Sequence, residues 1–252
     1  MTNIVINGSS GKMGKVIDNI ISMREDCVVV AGIDKHPEIG THFPVVDTSK
    51  QLSSISINPD VIIDFSHPSA LDELLDYCIT NRVALVIATT GYSEEQISKI
   101  HHAAKEIPLF FTANMSIGVN LIAELAKKAT SVLGGQFDIE IIEKHHNQKI
   151  DAPSGTAIML ADAINEELNN EYSYTYDRHS VRQKRTNKEI GLHAVRGGTI
   201  VGEHEIIFAG RDEVITLSHQ AASKEVFAVG AVNAAIFLKG KEPGLYNMKD
   251  LI

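Results

Sequence analysis

The sequence predicts an α/β protein with a doubly wound parallel sheet in its N-terminal half and a second domain of α+β type. In the first half, short continuous apolar runs alternate with segments whose apolar residues recur at helical spacing. This alternation is typical of parallel strands that are covered by helices on both faces. Beyond about Ser116 the pattern changes to a strand of period two and to strands without intervening helices.

The first half alternates predicted strands with predicted helices. Residues 13–21 and 71–79 each place their apolar side chains on one helical face. Ser93 and Gln96 have the spacing of a capping box, which would start the next helix. The apolar runs predicted as strands are residues 4–6, 28–31, 61–65, 83–88 and 109–111.

The second half contains a strand at residues 137–141, whose alternation indicates one buried face. A polar stretch covers residues 169–188, and Gly240 and Pro243 follow the last helix as residues that end helices. The helices expected in this half are residues 121–132, 156–168 and 223–238. We expect consecutive antiparallel strands at residues 191–196, 200–208 and 214–219.

The composition is that of a globular protein with a surplus of acidic residues. The 252 residues include 23 Lys and Arg against 32 Asp and Glu, a formal net charge of -9, whereas a nucleic-acid-binding protein needs a basic surface. No apolar run reaches the roughly 18 residues of a membrane-spanning helix, and no secretory signal pattern is present. We therefore expect a cytoplasmic protein that binds neither nucleic acid nor membranes, with Cys27 and Cys78 as reduced thiols.

A segment with glycines at positions 8, 11 and 14 joins the first predicted strand to the first helix. In a dinucleotide-binding turn, glycines let the backbone approach a pyrophosphate, which the following helix N-terminus stabilises. Asp34 ends the second strand, where a carboxylate would bind the adenosine ribose. The first glycine is one residue off the usual spacing, so a tight turn without a ligand is the alternative. The context favours a Rossmann-type site for NAD(P).

The choice between NADH and NADPH stays open. Asp34 would repel a 2′-phosphate, whereas the neighbouring Lys35 and His36 would attract one. Other strands of the predicted sheet end in small polar residues, which suit a close approach of the nicotinamide ring, at residues 65–67, 89–91 and 112–114.

The segment from His145 to Thr156 indicates a site for an anion that also needs a proton. His145, His146 and Lys149 bring positive or proton-donating groups close to a predicted helix start at Ser154. A helix N-terminus attracts anions, and histidine exchanges protons near neutral pH. A metal site, ordinary loop residues and contacts to nucleotide phosphate alone are the alternatives. No HExxH or CxxC spacing supports a metal.

A second cluster of basic residues lies in the polar stretch at residues 169–188. A solvated loop and a patch that steers an anionic ligand are both compatible with it. Arg196 begins a turn further on and faces either the site or solvent. The basic residues of the stretch are Arg178, Arg182, Lys184, Arg185 and Lys188.

These motifs carry a resemblance that covers the chain essentially from end to end. The pattern His-His…Lys-x-Asp-Ala-Pro-Ser-Gly-Thr at residues 145–156 is the most specific of them. The chain resembles the 4-hydroxy-tetrahydrodipicolinate reductase (dihydrodipicolinate reductase) family of bacterial lysine and diaminopimelate biosynthesis. It departs from the family pattern at Ala88, Asp34, Lys12 and Lys224, where Gly, Glu, Arg and Arg are common. The other matching segments are residues 8–14, 89–92, 114–120 and 196–204.

The resemblance implies NAD(P)H-dependent reduction of a small dicarboxylate, with no metal. It implies that His145 donates and accepts the proton and that Lys149 is a second proton donor. The substrate carboxylates would be held by His146, Ser154, Gly155 and Thr156. NADH or NADPH would be held by Gly8, Ser9, Ser10, Gly11, Lys12, Met13, Asp34, Ala88, Thr89, Thr90, Thr112, Ala113, Asn114 and Met115.

The resemblance also implies how the domains are organised. Residues 1–116 would form the dinucleotide-binding domain, to which residues 223–252 return. Residues 117–222 would bind substrate and assemble a homotetramer. Two other functions stay open, namely another two-domain NAD(P)-dependent amino-dicarboxylate dehydrogenase and a nucleotide-sensing module without catalysis.

Overall fold

The structure is a computed structural model that describes residues 1–37 and 40–252. Within these residues the chain divides into two compact units, one formed by Met1–Ile117 and Glu225–Ile252 and the other by Gly118–Lys224. Each unit has its own sheet and its own apolar core. No helix in the described ranges is both long enough and apolar enough to cross a membrane.

The elements alternate along the chain much as the periodicity predicts. The order in the described residues is β1 (Thr2–Asn7), α1 (Lys12–Ser22), β2 (Cys27–Ile33), β3 (Val45–Val46), β4 (Val61–Asp64), α2 (Leu71–Asn81), β5 (Ala84–Ile87), α3 (Glu94–Ala103), β6 (Pro108–Phe111), α4 (Ile117–Leu133), β7 (Asp138–His145), α5 (Gly155–Glu167), β8 (Ser173–Thr175), β9 (Glu189–Arg196), β10 (Gly202–Ala209), β11 (Val214–Ala221), α6 (Glu225–Leu238), β12 (Gly244–Tyr246) and α7 (Met248–Leu251). The predicted capping box of Ser93 and Gln96 starts α3. The short elements β3, β8, β12 and α7 were not predicted, because so few residues carry no usable periodicity.

The first unit is built on a parallel sheet that is covered on both faces. Its strands in the described chain lie in the order β12-β6-β5-β4-β1-β2-β3. Ile4 and Ile6 of β1 pack with α1 and α6 on one face, whereas Val5 packs with α2 and α3 on the other. Each such buried aliphatic side chain contributes about 1.5–3 kcal/mol to folding. The predicted doubly wound fold is confirmed.

The helix α6 belongs to the first unit although it follows the second in sequence. Its buried alanines, among them Ala231 and Ala235, join the core that α1 and the sheet form. Gly230 lies so close to the segment after β6 that an added Cβ would stand 1.7 Å from the carbonyl oxygen of Met115. Only glycine permits this approach between the helix and the backbone of that segment.

The second unit contains a mixed sheet with β7 at its centre. The order of its described strands is β11-β10-β7-β9-β8, with β7 antiparallel to β10 and parallel to β9. Ile139 and Ile141 of β7 are buried against α4 and α5. The burial alternates along the whole strand, so that Glu143 and His145 lie on the same buried face. The predicted second α+β domain is confirmed in class.

The prediction of consecutive antiparallel strands in the second half was wrong in its pairing. β9 pairs in parallel with β7 and with β8, and β7 separates β9 from β10. β10 and β11 do form the expected antiparallel pair. Periodicity identifies a strand but does not tell which strand lies beside it, and here a strand from much earlier in the chain is inserted.

Two arginines of the polar stretch are paired with carboxylates of the sheet, so neither predicted role describes these two. Arg185 contacts Asp138 at 2.7 Å and Glu140 at 3.1 Å. Arg178 forms ion pairs with Glu140 and Glu189. These ion pairs connect the stretch to carboxylates of β7 and β9, so the two arginines stabilise the fold of the second unit.

Both cysteines are buried free thiols of the first unit. Burial raises the pKa of Cys27 to about 11 and also raises the pKa of Cys78. Because the thiolate is the reactive form, these two side chains are chemically inert at neutral pH.

We predict that Gly230→Ala destabilises the protein, although alanine ordinarily favours a helix over glycine by about 1 kcal/mol. The added Cβ would meet the Met115 carbonyl oxygen at 1.7 Å, and backbone cannot rotate away, so we expect a loss of about 1–3 kcal/mol. Chemical denaturation measures this. Val229→Ala, at a position of the same helix that is 39% exposed, is the control. An unfolding free energy of Gly230→Ala at or above the wild-type value would refute the close contact.

Candidate active site

The glycine-rich segment forms the turn between β1 and α1. Gly8 has a φ of +86°, and an added Cβ would lie 2.5 Å from the carbonyl oxygen of Phe65. Gly11 is the N-cap of α1, and a Cβ on Gly14 would lie 2.3 Å from the Gly8 carbonyl oxygen. The turn is therefore packed tightly against the end of β4 and the start of α1. Backbone N–H groups at the helix start remain for an anion.

A cleft of about 610 Å³ lies beside this turn, at the carboxyl ends of β1, β2 and β4. Asp34 lines the cleft, where it accepts hydrogen bonds from the backbone N–H of Ser10 at 3.0 Å and of His36 at 2.9 Å. These bonds hold the carboxylate in place and leave lone pairs for ribose hydroxyls. Lys35 and His36 line the same cleft, so the charges with opposite effects on a 2′-phosphate are both present.

Ser9 and Ser10 add two polar groups to the turn. Their hydroxyl oxygens are buried and have no hydrogen-bond partner among the described residues. A Cβ on Gly32 would lie 2.4 Å from the hydroxyl oxygen of Ser9, so the backbone of β2 also approaches the turn closely. A tight glycine turn, a helix N-terminus, unpaired hydroxyls and a nearby carboxylate together fit a pyrophosphate and a ribose.

A buried carboxylate fixes the neighbouring strand ends. Asp64 accepts hydrogen bonds from the side chains of Asn7 at 2.8 Å, Ser66 at 2.5 Å and Tyr92 at 3.1 Å. Burial raises the pKa of Asp64, and these donors oppose the rise. The Thr89 hydroxyl accepts from the backbone N–H of Ser66 at 2.8 Å. The loops after β4 and β5 are thereby held together at this edge of the sheet.

The other residues predicted for the cofactor lie around the same strand ends. The parallel sheet places the carboxyl ends of β5 and β6 at the edge where Gly8 and Asp34 lie. Asn114 accepts a hydrogen bond from the backbone N–H of Ser116 at 2.8 Å, which shapes the segment after β6. The predicted residues outside the lining of the 610 Å³ cleft are Ser9, Ser10, Lys12, Met13, Ala88, Thr89, Thr90, Thr112, Ala113, Asn114 and Met115.

In the second unit, a carboxylate and a guanidinium surround the predicted catalytic histidine. Nδ1 of His145 lies 2.6 Å from Oε2 of Glu143. Arg196, directly opposite His145 on β9, donates to both carboxylate oxygens of Glu143, at 2.8 and 2.7 Å. Burial by itself raises the pKa of Glu143, but hydrogen bonds from Arg196, His145 and the Ser154 backbone lower it below its usual value. Glu143 is therefore ionised at neutral pH.

Ser154 is the N-cap of α5. Its hydroxyl accepts from the backbone N–H of Ala157 at 3.2 Å, and its own N–H donates to Oε1 of Glu143 at 3.0 Å. The hydroxyl also lies 3.1 Å from Nε2 of His204 on β10. Apart from its two chain neighbours and the backbone of its own helix, no described atom lies within 4 Å of the place where a Cβ on Gly155 would stand. The space beside Gly155 at the start of α5 is therefore open, and the helix dipole there favours an anion.

The remaining basic residues lie in the loop between β7 and α5. The ammonium of Lys149 lies 2.8 Å from the Asp151 carboxylate and lowers the pKa of Asp151. His146 lines a second cleft of about 420 Å³ in the second unit, together with Lys224. Within the described residues, no three His, Cys, Asp or Glu side chains are grouped so that they could hold a metal ion.

His204 is an uncharged histidine beside His145. The two rings meet edge to face with centroids 5.3 Å apart, and Nδ1 of His204 is buried without a partner in the described ranges. Burial and the charge of His145 lower the pKa of His204 to about 4. His204 therefore stays neutral at physiological pH and supports Ser154 through a hydrogen bond alone.

Models of one protein family match both parts of the chain. The model described as "Dihydrodipicolinate reductase, N-terminus" matches residues 2–115, and "Dihydrodipicolinate reductase, C-terminus" matches residues 118–252. The chain belongs to the dihydrodipicolinate reductase family. The resemblance indicated by the motifs at residues 8–14 and 145–156 is confirmed.

Individual members of the family are similar over their full length. The 4-hydroxy-tetrahydrodipicolinate reductase of Caldanaerobacter subterraneus subsp. tengcongensis is 50% identical over 252 residues, which is 100% of this chain and 98% of that protein. That of Clostridium novyi is 47% identical with the same coverage. The dipicolinate-bound dihydrodipicolinate reductase from Paenisporosarcina sp. TG-14 has a TM-score of 0.82 and 27% identity, covering 100% of both chains.

Three residues of this site were not assigned a role from the sequence: Glu143, Arg196 and His204. A signal for Glu143 was present, because the period of two places it on the face of Ile139 and Ile141, where a carboxylate needs a partner. The roles of Arg196 and His204 depend on strand register. They stand on β9 and β10, on either side of β7, and the sequence does not show that these strands flank it.

We predict that His204 makes the protein less stable in acid. Its pKa is about 4 in the folded state against 6.5 for an unperturbed histidine, so between these values the unfolded chain binds the extra proton. The unfolding free energy should fall as the pH drops through this window, by up to about 1.4 kcal/mol per pH unit from this residue. Urea unfolding of the wild type and of His204→Gln, repeated at several pH values in this window, measures how steeply each unfolding free energy falls with pH. An equally steep fall in both proteins would rule out the effect.

Proposed function

We infer that the chain catalyses the NAD(P)H-dependent reduction of 4-hydroxy-tetrahydrodipicolinate to tetrahydrodipicolinate in lysine and diaminopimelate biosynthesis. The observation that carries this inference is the match of both parts of the chain to the dihydrodipicolinate reductase family. The geometry agrees with it, because the first unit fits a dinucleotide and the second presents an anion site beside a histidine. Family membership disfavours both the amino-dicarboxylate dehydrogenase and the sensing module.

The first unit is the proposed site of NADH or NADPH. When bound, the reduced nicotinamide supplies the hydride for the reduction. The turn from Gly8 to Met13 would hold the pyrophosphate, and Asp34 the adenosine ribose, with Lys35 and His36 beside it to tolerate a 2′-phosphate. Ala88 to Thr90 and Thr112 to Met115 would flank the nicotinamide. We expect both cofactors to be used.

The second unit is the proposed site of the dicarboxylate. His145 would supply the proton that the substrate ring takes up as hydride is added and water is lost. Lys149 would be a second proton donor, and its charge would strengthen a hydrogen bond to a carboxylate. The structure of the Paenisporosarcina relative contains bound dipicolinate, which is itself a dicarboxylate. The proposed carboxylate-binding residues are His146, Ser154, Gly155 and Thr156.

The domain roles follow from the same inference. Residues 1–116 with 223–252 would be the dinucleotide-binding domain, and residues 117–222 would bind substrate and assemble a homotetramer. The protein would act in the cytoplasm. Light scattering on the purified protein tests the subunit number.

The proposed activity predicts turnover that requires both a reduced nicotinamide and the pathway intermediate. We expect the absorbance of NADH and of NADPH to fall when 4-hydroxy-tetrahydrodipicolinate is added, and to stay constant without it. Calorimetry with each cofactor provides the control for binding. Protein that binds the cofactors and oxidises neither of them would be a binding module, and the proposed activity would be lost.

We predict that His145→Gln lowers kcat far more than it weakens ligand binding. Glutamine retains hydrogen bonding but cannot exchange a proton, so kcat should fall roughly 100-fold to 10,000-fold, with a nearly unchanged affinity for dipicolinate. Steady-state kinetics and calorimetry measure the two quantities. His193→Gln is the matched control, because His193 also pairs with a strand β7 carboxylate, Glu140, at 2.7 Å. Near-normal turnover of His145→Gln would exclude His145 as the proton donor.

A further inference from the structure

We propose that Glu143 is a positioning residue that determines which ring nitrogen of His145 exchanges its proton, and that it ties this histidine to the carboxylate-binding turn at Ser154. The proposal rests on the role of His145 given under the proposed function. It concerns a residue that does not touch the substrate in its own right. Glu143 acts through His145 and through the Ser154 backbone.

The position of Glu143 is unusual for a charged side chain. It continues the buried face that Ile139 and Ile141 begin on β7, and only 1% of its surface is exposed. A buried carboxylate is costly unless it is paired and hydrogen-bonded. Arg196 provides the pairing with two hydrogen bonds, at 2.8 and 2.7 Å. The fork of a guanidinium matches both oxygens of the carboxylate.

The ionised state of Glu143 fixes the hydrogen bond to His145. An ionised carboxylate can only accept, so the proton in the 2.6 Å contact belongs to Nδ1 of His145. A neutral imidazole carries one N–H, and a proton held on Nδ1 leaves Nε2 as the nitrogen that gains and loses the exchangeable proton. The carboxylate thereby selects the tautomer of His145.

The surroundings of Nε2 agree with this assignment. A Cβ on Gly202 would stand 3.1 Å from Nε2 of His145, closer than most side-chain contacts. Because residue 202 is glycine, this position of β10 adds no side-chain atom next to Nε2. The ring of His204 packs against His145 edge to face and limits its rotation.

The second oxygen of Glu143 reaches the substrate-binding turn. Oε1 accepts from the backbone N–H of Ser154 at 3.0 Å. Arg196 also donates to the backbone carbonyl of Asp151 at 2.6 Å, so the ion pair holds the loop at two points. One buried charge thus orients the proton donor and the helix start proposed to bind the carboxylates.

A purely structural role for Glu143 is the competing explanation, and the same strand offers a control for it. Glu140 also contacts one histidine and two arginines, His193, Arg178 and Arg185. It lies on the opposite face of β7, away from His145. Glu140→Gln therefore removes a similar cluster of charges without touching the proposed site.

The test is a kinetic double-mutant cycle with Glu143→Gln, His145→Gln, the double variant and Glu140→Gln. Outer-shell partners of active groups are typically worth about 10-fold to 100-fold in activity, so we expect kcat of Glu143→Gln to fall by about that factor. The effect of Glu143 on proton transfer passes through His145, so kcat of the double variant should be lower than that of His145→Gln by no more than about twofold. Loss of the contact to Ser154 should instead raise KM. Glu140→Gln should lower the stability and leave kcat within about twofold of the wild type.

The outcomes separate this proposal from the proposed function. If His145→Gln retains kcat, the proton-donor role fails and the proposal on Glu143 fails with it. If His145→Gln is slow while Glu143→Gln turns over normally, the proposed function stands and the positioning role is overturned. Additive losses in the double variant, or equal losses in Glu140→Gln, would likewise show that Glu143 is structural only.

A measurement on the wild-type protein keeps the proposal testable if Glu143→Gln does not fold. ¹⁵N NMR of histidine-labelled protein distinguishes the two neutral tautomers, and His145→Gln identifies the signals of His145. We expect the neutral ring of His145 to carry its proton on Nδ1. A neutral ring protonated on Nε2 would overturn the proposal.

Discussion

The buried charge of Glu143 is the feature on which the arrangement of the second unit's site depends. A carboxylate on an apolar strand face must be compensated, and the register of β7 with β9 places Arg196 where its guanidinium can do so. The paired carboxylate accepts two further hydrogen bonds. One oxygen accepts from Nδ1 of His145, and the other accepts from the backbone N–H of Ser154. The orientation of both groups follows from one ion pair.

The proposed anion sites of the two units share one feature, the N-terminus of a helix. In each, a strand is followed by a loop that leads to the N-terminus of a helix, where the helix dipole favours a negative charge. The first unit uses Gly8 and Gly11 to bring the backbone close, whereas the second uses Ser154 as a cap and basic side chains before it. A formal net charge of -9 is compatible with anionic ligands, because local N–H groups and cations govern each site.

The sequence was sufficient for those features that depend on local pattern. The parallel sheet followed from alternating apolar runs, and the turn at Gly8 followed from glycine spacing, since both are determined by residues close in the chain. The pairing of β9 with β7 was not predictable, because periodicity is the same for any neighbour. The same limit hid the partners of Arg178 and Arg196. Each pairs with a carboxylate on a strand far away in sequence, so their charges alone suggested a ligand or solvent.

The position of the proton between His145 and Glu143 is the most direct observable of this arrangement. Neutron diffraction from deuterium-exchanged crystals locates it without any substitution. We expect deuterium on Nδ1 of His145 and none on either carboxylate oxygen of Glu143. Deuterium on the Glu143 carboxyl group, or an Nδ1 without deuterium, would show that the carboxylate does not orient the histidine.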